Sequence, residues 1–273
     1  YLTELKRRNI PVYSVSSIFR KEQVFFRWYG KSYRKVLNTF THLFVQDEAS
    51  VKLLQSIGIT NTTIVGDTRF DRVLEICRQA KELPLVELFK GDHTAFVAGS
   101  SWGPDEDIFI PYFNAHPEVK LIIAPHVIEE SHLKEIIGKL DRTVVRYTQA
   151  TEEKVKEADC LLIDCFGLLS SIYRYGEIAY IGGGFGVGIH NVLEAAVYGM
   201  PVIFGPNNKR FREAQGLLQC KGGFEIQGAE DFKKIMDEFL TNYGALDKAG
   251  KKAGNYVRDN AGALEKIMHT VTL

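Results

Sequence analysis

The sequence predicts an α/β fold built from two doubly wound parallel-sheet domains, and three observations carry this prediction. Short apolar runs rich in Val, Ile and Phe alternate with helical patterns along almost the whole chain, as in repeated βαβ units. The runs form two series, separated by a break that begins at Gly66. Glycine and polar residues follow most runs, at the strand ends where open α/β sheets bind ligands.

Composition indicates an ordinary globular protein and excludes several classes. The chain has 273 residues, of which 45% are hydrophobic and 25% charged, and its formal net charge is zero. A neutral balance gives no global attraction to nucleic acid, so we expect no nucleic-acid partner. No apolar run approaches the roughly 18 residues of a membrane-spanning helix. The cysteines lack any C-x-x-C pair and are expected to be reduced, mostly buried thiols: Cys77, Cys160, Cys165 and Cys220.

The first series of elements occupies the chain up to the break. We expect strands over 10–15, 42–45 and 62–65, a basic, aromatic helical stretch over about 23–38, and a helix over 48–57. Asp47 is the expected N-cap of that last helix, and Gly58 closes it. Two or three strands make only part of a doubly wound domain, so we expect this first domain to be truncated.

The second series contains enough strands for one complete domain. We expect strands over 95–98, 119–124, 143–146, 160–163, 178–181, 201–204 and 223–226, with helices over 73–81, 191–198 and 229–240. The expected division is 1–72 for the end of the first domain and 73–255 for the second domain. The remaining stretch, 256–273, is expected to be a C-terminal helix that can cross back to the first domain.

A glycine loop, Gly182–Gly188, follows one predicted strand and precedes a predicted helix. Its five glycines permit close backbone approach and positive φ, and a helix N-terminus offers free N–H groups to an anion. The spacing fits neither G-x-G-x-x-G nor a P-loop, which disfavours a dinucleotide oxidoreductase or an NTPase. The alternative is a glycine-rich turn that only packs the helix against the strand.

Asn191 and Glu194 follow the glycine loop and are the candidate polar contacts there. A carboxylate at the position of Glu194 can accept hydrogen bonds from a ribose diol, as the acidic residue of dinucleotide folds does. The alternative is a helix N-terminal Glu that only interacts with the helix dipole.

Together these residues resemble one family, the 3-deoxy-D-manno-octulosonic acid (Kdo) transferases of lipopolysaccharide biosynthesis. The resemblance covers nearly the whole chain and rests on the following motifs: Gln46-Asp47-Glu48, Gly66–Asp71, Gly99-Ser100-Ser101, Ala124-Pro125-His126, Asp164–Leu169, the glycine loop with His190–Ala196, Gly199–Pro206 and Phe211-Arg212-Glu213.

The resemblance implies a GT-B fold, in which two Rossmann-like domains face each other. It also implies an inverting, metal-independent glycosyltransferase without a cofactor, which transfers Kdo from CMP-Kdo to a phosphorylated lipid A precursor. The expected location is the cytoplasmic side of the bacterial inner membrane, reached through a segment absent from this chain.

The resemblance also implies site residues, each placed on a matching motif. The expected donor nucleotide contacts are Pro125, His126, Phe166, Gly167, Leu168, Gly184, Gly186, Asn191 and Glu194. The expected donor sugar contacts are Gly99, Ser100 and Ser101. Ser16, Ser17 and Arg20 follow a predicted strand and are expected on the acceptor side.

Three positions depart from the family pattern, and one expected residue is missing. His126 stands where the family usually has Arg, which weakens a cationic contact or makes it pH-dependent. Leu168 stands near a usual Glu, and Val192 at a frequent Pro, a convenient early-helix residue. The family's general base would lie upstream of Tyr1, so we expect this chain to bind CMP without turnover.

Residues 1–40 hold nine Lys and Arg against two Glu, with aromatic residues between them. This composition suits an anionic membrane surface or a phosphorylated lipid. The alternative is a solvated helix face whose apolar side packs on the core.

Other functions find less support in the sequence. The seven histidines show no metal-ligand spacing, so we expect no metal site. Paired carboxylates such as Asp105-Glu106-Asp107 are expected to cap helices or lie on solvated faces, and no G-x-S-x-G elbow indicates a hydrolase. Two alternatives stay open: a GT-B enzyme that uses a UDP-sugar, either a transferase or an epimerase, and a non-catalytic nucleotide-binding module.

Overall fold

The computed structural model describes residues 1–271 and divides the chain into two compact units. The first unit consists of Tyr1–Arg72 with the chain from Asn260 onward, and the second of Val73–Asp259. The fold is α/β with only parallel strand pairs in both sheets. No helix among the described residues is long and apolar enough to span a membrane.

The first unit contains a three-stranded sheet in the order β1-β2-β3. Its strands are β1 (Tyr13–Ser17), β2 (His42–Val45) and β3 (Thr62–Ile64), and its helices are α1 (Leu2–Arg7), α2 (Lys31–Leu37), α3 (Glu48–Gln55) and α14 (Ala263–Thr270). Asp71 accepts hydrogen bonds from the backbone N–H groups of Gly262 and Ala263, at 2.8 and 3.1 Å. This carboxylate fixes the start of α14 within the unit.

The second unit contains a seven-stranded sheet in the order β10-β9-β8-β4-β5-β7-β6. Its strands are β4 (Ala95–Ser101), β5 (Lys120–Pro125), β6 (Val144–Arg146), β7 (Cys160–Leu162), β8 (Ile178–Ile181), β9 (Val202–Phe204) and β10 (Gly223–Glu225). The central strands are buried on both faces, as expected for a parallel sheet covered by helices.

The helices of the second unit include the long α13 that ends it. They are α5 (Pro84–Lys90), α6 (Gly103–Ala115), α7 (Glu130–Lys139), α8 (Glu152–Glu157), α9 (Leu169–Ile172), α10 (Leu193–Ala196), α11 (Arg212–Cys220), α12 (Ala229–Thr241) and α13 (Tyr243–Asp259); α4 (Thr68–Arg78) runs across the division. Because α13 continues to Asp259, the second unit ends beyond the boundary expected at residue 255.

The single helix expected over about 23–38 is wrong. The chain forms a 3₁₀ turn at Val24–Phe26, becomes extended at Arg27 and begins α2 only at Lys31. The guanidinium of Arg34 donates to the carbonyls of Phe25 and Arg27 at 2.8 and 3.2 Å, which satisfies groups that a continuous helix would pair itself. The Arg34 side chain therefore stabilises a break in the helix that the hydrophobic periodicity of the sequence does not predict.

Three further expectations need correction. The helix expected over 191–198 is the short α10, because the Asn191 side chain accepts from the backbone N–H of Leu193 at 3.2 Å before the helix begins. Strand β1 lies later than the expected 10–15, which begins beside Pro11, a residue without a backbone N–H donor. Of the cysteines only Cys160 is buried, whereas the other three are partly exposed, and all four are free thiols.

Candidate nucleotide site

The candidate site lies where the connections of the seven-stranded sheet change direction. Strands β5 to β7 lie on one side of β4, and strands β8 to β10 lie on the other. In open α/β sheets, ligands bind beyond the carboxyl ends of the strands at such a switch point. The ends of β4 and β8 meet there, which brings Gly99–Trp102 next to the glycine loop Gly182–Gly188.

Close backbone packing explains most of the glycines in that loop. A Cβ atom on Gly182 would lie 2.6 Å from the Cα of Ser101, and one on Gly184 would lie 2.6 Å from the Cα of Gly205. Gly183 has a φ of +89°, which an L side chain rarely adopts. Gly186 differs, because it is exposed and the nearest atom to its Cβ position is 3.7 Å away. The loop therefore approaches two strand ends closely and keeps one open glycine.

A buried carboxylate, Asp105, ties the glycine loop to the end of β4. It is 1% exposed and accepts from the Tyr180 hydroxyl at 2.7 Å and from the Gly183 backbone N–H at 2.9 Å. The backbone N–H of Trp102 also donates to Asp105, at 2.9 Å. Burial and the Asp105 charge hold the pKa of Tyr180 well above its usual range. The expectation that Asp105 lies on a solvated face is wrong, although it does cap α6.

The adjacent carboxylate, Glu106, is also buried rather than solvated. It accepts from the Ser101 hydroxyl at 2.9 Å and from the His132 ring at 3.1 Å. Burial raises the pKa of Glu106, and its second oxygen has no hydrogen-bond partner within residues 1–271. The Ser101 side chain is thereby fixed inside the unit.

Three rings stack at the edge of the sheet beside the loop. The rings of Trp102 and His126 lie 4.6 Å apart at 26°, and those of His126 and His190 lie 4.5 Å apart at 26°. The Trp102 indole N–H donates to Nε2 of His190 at 3.2 Å, so this nitrogen carries a lone pair. Burial lowers the pKa of His190, and the neighbouring His126 lowers it further. Trp102 and His126 are the exposed members of the stack, whereas His190 is partly buried.

Asn191 and Glu194 form a hydrogen-bonded pair at the end of the glycine loop. The Asn191 amide donates to Oε1 of Glu194 at 2.9 Å. Burial raises the pKa of Glu194, and the Asn191 hydrogen bond opposes this rise. The Glu194 charge also raises the pKa of buried Tyr173, whose phenol ring packs against Gly99. Glu194 and Gly99 therefore lie close to the same tyrosine.

The loop after β7 presents an exposed aromatic ring. Phe166 is 77% exposed, and Gly167 beside it has a φ of +84°. The loop is fixed at its start, where Asp164 accepts from the backbone N–H and the hydroxyl of Thr148 at 2.9 and 2.6 Å. Leu168 is partly buried at the start of α9.

The expected donor residues therefore differ in how far their side chains are exposed to solvent. Gly99, Gly184 and Pro125 are buried and contribute backbone shape, whereas Ser101 uses its hydroxyl on Glu106. Ser100 is partly exposed, lies at an irregularity of β4 and has a φ of +53°. Side chains open to solvent in this set belong to His126, Phe166 and Asn191.

A second loop, Gly205–Arg210, was not predicted to contribute and lies against the glycine loop. The Asn207 amide donates to the Gly186 carbonyl at 2.6 Å, and the Arg210 guanidinium donates to the Val187 carbonyl at 3.2 Å. The two loops line a cleft of about 690 Å³ that also exposes Lys209. The Gly-Pro-Asn-Asn sequence signals this turn, but only the fold shows which loop it contacts.

The expected acceptor-side residues belong to the first unit. Ser16 and Ser17 are the last residues of β1, and Arg20 is exposed beyond them. The Ser16 hydroxyl accepts from the backbone N–H of Thr68 at 3.2 Å, and its carbonyl accepts from the Gln46 amide at 3.0 Å. No group of three metal-ligating side chains occurs in the part of the chain that the structure describes.

Comparison with protein families supports the resemblance in both parts of the chain. The family model described as 3-deoxy-D-manno-octulosonic-acid transferase (kdotransferase) matches residues 1–72. A 3-deoxy-D-manno-octulosonic acid transferase of Rickettsia bellii is 25% identical over 248 residues, 88% of this chain. The enzyme of the same name from Aquifex aeolicus is 29% identical over 219 residues, 78% of this chain. The chain spans 59% and 58% of the lengths of these two relatives.

Solved structures show the same fold. The C-terminal CMP-Kdo binding domain of WaaA from Acinetobacter baumannii superposes with a TM-score of 0.56 at 19% identity, covering 69% of this chain and 97% of that domain. A putative UDP-N-acetylglucosamine 2-epimerase from Listeria monocytogenes superposes with a TM-score of 0.64 at 13% identity, covering 99% of this chain and 72% of the epimerase. These neighbours support the GT-B fold class. Residues 1–72 therefore match the family model, and the chain is similar to 3-deoxy-D-manno-octulosonic acid transferases at 25% and 29% identity over 88% and 78% of its length.

Proposed function

We propose that the second unit binds the CMP moiety of CMP-Kdo. On this proposal, the protein is an inverting glycosyltransferase that transfers Kdo to a phosphorylated lipid A precursor, at the cytoplasmic side of the bacterial inner membrane. One observation carries the proposal: the ring stack, the Asn191–Glu194 pair and the Phe166 loop all lie at the carboxyl ends of neighbouring strands. The family relatives named above support the choice of donor.

Each part of this edge suits a different part of a nucleotide. A partly buried carboxylate that already accepts one hydrogen bond can accept two more from a ribose diol, so we assign the ribose to Glu194. The exposed Phe166 ring offers a face on which a pyrimidine can stack. The phosphate is assigned to the glycine loop and His126, where open backbone and an imidazole can face an anion.

The donor chemistry explains why an anion site matters for transfer. When the bond between the anomeric carbon of Kdo and the CMP phosphate oxygen breaks, negative charge develops on CMP. Groups that hold this charge lower the barrier, because they stabilise the transition state more than the bound donor. The acceptor hydroxyl attacks from the opposite face, which inverts the configuration. A metal-independent, cofactor-free reaction stays a prediction.

Calorimetric titration of the full 273-residue chain with CMP, UDP and GDP tests the proposal. We expect CMP to bind more tightly than UDP and GDP. Binding of UDP without binding of CMP would contradict the Kdo assignment and favour the UDP-sugar alternative.

The Glu194→Gln variant locates the nucleotide within the chain. Its amide keeps one acceptor oxygen but loses the charge, so we expect CMP affinity to fall roughly 10- to 100-fold. The wild-type affinity should also lose the Glu194 contribution as pH decreases toward the raised pKa of Glu194, and this part of the pH dependence should be absent from the variant. Glu225→Gln is the matched control, since Glu225 lies in the cleft beside the second loop. Equal losses in both variants would remove Glu194 from the ribose contact.

A further inference from the structure

The first unit carries an exposed aromatic tip, which we define as Trp28 and Tyr29. Trp28 is 90% exposed and Tyr29 is 58% exposed, and their rings meet edge to face at 5.5 Å. Immediately before the tip, Phe25 and Phe26 point the other way and pack against the core cluster that includes Leu37. The segment therefore buries one aromatic pair and presents a second pair to the outside.

The tip is held by a defined turn. The Gly30 backbone N–H donates to the Arg27 carbonyl at 2.9 Å, and the Arg34 guanidinium donates to the carbonyls of Phe25 and Arg27. A Cβ atom on Gly30 would lie 3.0 Å from the Val24 carbonyl carbon, so only glycine closes the turn this tightly. Because backbone hydrogen bonds and packing fix the segment, exposure of the two rings is a property of the folded unit.

Basic residues without ion-pair partners flank the tip in the sequence. Six basic residues lie between positions 20 and 35, against the single acidic residue Glu22: Arg20, Lys21, Arg27, Lys31, Arg34 and Lys35. None of the six forms an ion pair within residues 1–271. Tyr33 and Val36, three residues apart on the adjacent helix α2, are also exposed. The surface is thus complementary to a partner that offers both negative charge and an apolar layer.

We propose that the Trp28–Tyr29 tip inserts into the headgroup region of an anionic lipid bilayer. Trp and Tyr favour this interface because their rings are apolar at one end and polar at the other, and Lys and Arg around them attract anionic headgroups. This places a membrane contact within the first unit. The inference rests on the first unit alone and is independent of the nucleotide site.

Tryptophan fluorescence tests the insertion directly, because the chain has only two tryptophans. In the Trp102→Phe variant, Trp28 is the only tryptophan. We expect its emission to shift to shorter wavelength with phosphatidylglycerol-containing vesicles, and brominated lipid to quench it. Pure phosphatidylcholine vesicles should give a much smaller change. Adsorption to anionic vesicles that high salt removes, without any emission shift, would overturn insertion.

Vesicle co-sedimentation of the full chain compares the membrane binding of the wild type with that of variants. We expect the W28A/Y29A double variant to bind anionic vesicles roughly tenfold more weakly than the wild type. Tyr243→Ala is the control, because Tyr243 is 76% exposed but lies in the second unit. Equal binding by the wild type and the double variant would overturn the proposal. The double variant should bind CMP like the wild type, so failure of this inference is distinguishable from failure of the nucleotide assignment.

Discussion

The ends of β1 and β4 share a local feature and differ in what surrounds it. Each is the first strand of the main sheet in its unit, each has a register irregularity near its end, and each places a serine at a φ of +53°. These serines are Ser16 in the first unit and Ser100 in the second. A non-glycine residue in this region is uncommon and tends to occur where a strand end serves a functional site.

The two strand ends differ in how deeply their surroundings are buried. Strand β4 is buried along almost its whole length, and the residues after Ser100 lead into the buried carboxylates Asp105 and Glu106. Strand β1 is partly exposed throughout, and the hydrogen bonds of Ser16 join it to the Gln46 amide, the Thr68 backbone N–H and the Gly66 carbonyl. In the second unit, buried and hydrogen-bonded carboxylates therefore hold the end of β4 in place. In the first unit, the serine hydroxyl groups at the end of β1 are partly exposed.

This difference indicates different tasks for the two strand ends. A rigid, desolvated edge suits recognition of a small ligand of fixed shape, because little reorganisation is needed on binding. An accessible edge with hydroxyl groups suits a larger partner that approaches from solvent. The following changes test whether the buried polar groups are what separates the two regions.

The largest effect is expected from Asp105→Asn. The amide nitrogen would face one of the three donors that Asp105 now satisfies, and the negative charge would be lost, so we expect a loss of about 3–4 kcal/mol in the free energy of unfolding. Gln46→Ala near β1 should cost only about 1 kcal/mol. Denaturant unfolding of both variants measures the contrast. Equal losses would break the comparison, and Asp107→Asn on the exposed face of α6 is the control.

Gly184→Ala should produce the next largest effect. Its methyl group would lie 2.5–2.6 Å from the backbone N and Cα of Gly205, which forces the two loops apart and costs about 2–3 kcal/mol. A Cβ atom on Gly186 would lie 3.7 Å from its nearest neighbour, the Gly183 carbonyl oxygen, so Gly186→Ala should change the unfolding free energy by less than about 0.5 kcal/mol. If both variants unfold at the same denaturant concentration, close packing does not explain the glycines.

Each unit also contains a histidine whose pKa burial lowers, His42 in the first and His190 in the second. The unfolded chain binds protons at these histidines at a higher pH than the folded chain does. The free energy of unfolding therefore decreases as pH falls from 6.5 toward the folded pKa values.

CMP should change the pKa of only one of these two histidines. A phosphate bound beside His190 should raise its pKa, because the anion favours the imidazolium, whereas His42 should not respond. Proton NMR titration with and without CMP measures both shifts. Equal shifts at the two histidines, or a shift at His42 alone, would place the phosphate elsewhere.

The smallest effect is expected from removing the two positive-φ serines. Ser100→Gly relieves backbone strain and breaks no side-chain hydrogen bond found in residues 1–271, so it should stabilise the protein by about 1 kcal/mol. Ser16→Gly gives similar relief but loses the oxygen that accepts from Thr68, so its net effect should be near zero. Thermal unfolding distinguishes the two. A larger gain for Ser16→Gly would reverse the contrast between the strand ends.

The sequence pattern alone predicted the bounds of an element correctly where an apolar run and the turn residues that end it mark the same boundary. Strand β8 has the predicted bounds, 178–181, because a continuous apolar run ends at glycines. The order of β8, the glycine loop and the short helix that carries Glu194 was also predicted correctly, since one strand, one turn and one helix follow each other without interruption.

Long-range contacts explain what the sequence did not reveal. Asp105 becomes buried because Tyr180 and Gly183 donate to it from strand β8 and the loop that follows. Arg34 divides an expected helix by satisfying carbonyls earlier in the chain. Partners so distant in sequence leave no periodic signal, so propensity and spacing assign such side chains to caps or exposed faces.

Hydrogen–deuterium exchange of the full chain with and without CMP tests the central assignment most directly. We predict that CMP slows exchange in the glycine loop through Asn191, at Ser101–Trp102, around His126 and in the Phe166 loop. The exchange rates of residues 1–40 should not change. Protection confined to the second loop and its cleft, or to the first unit, would contradict the placement of the nucleotide at the ends of β4 and β8.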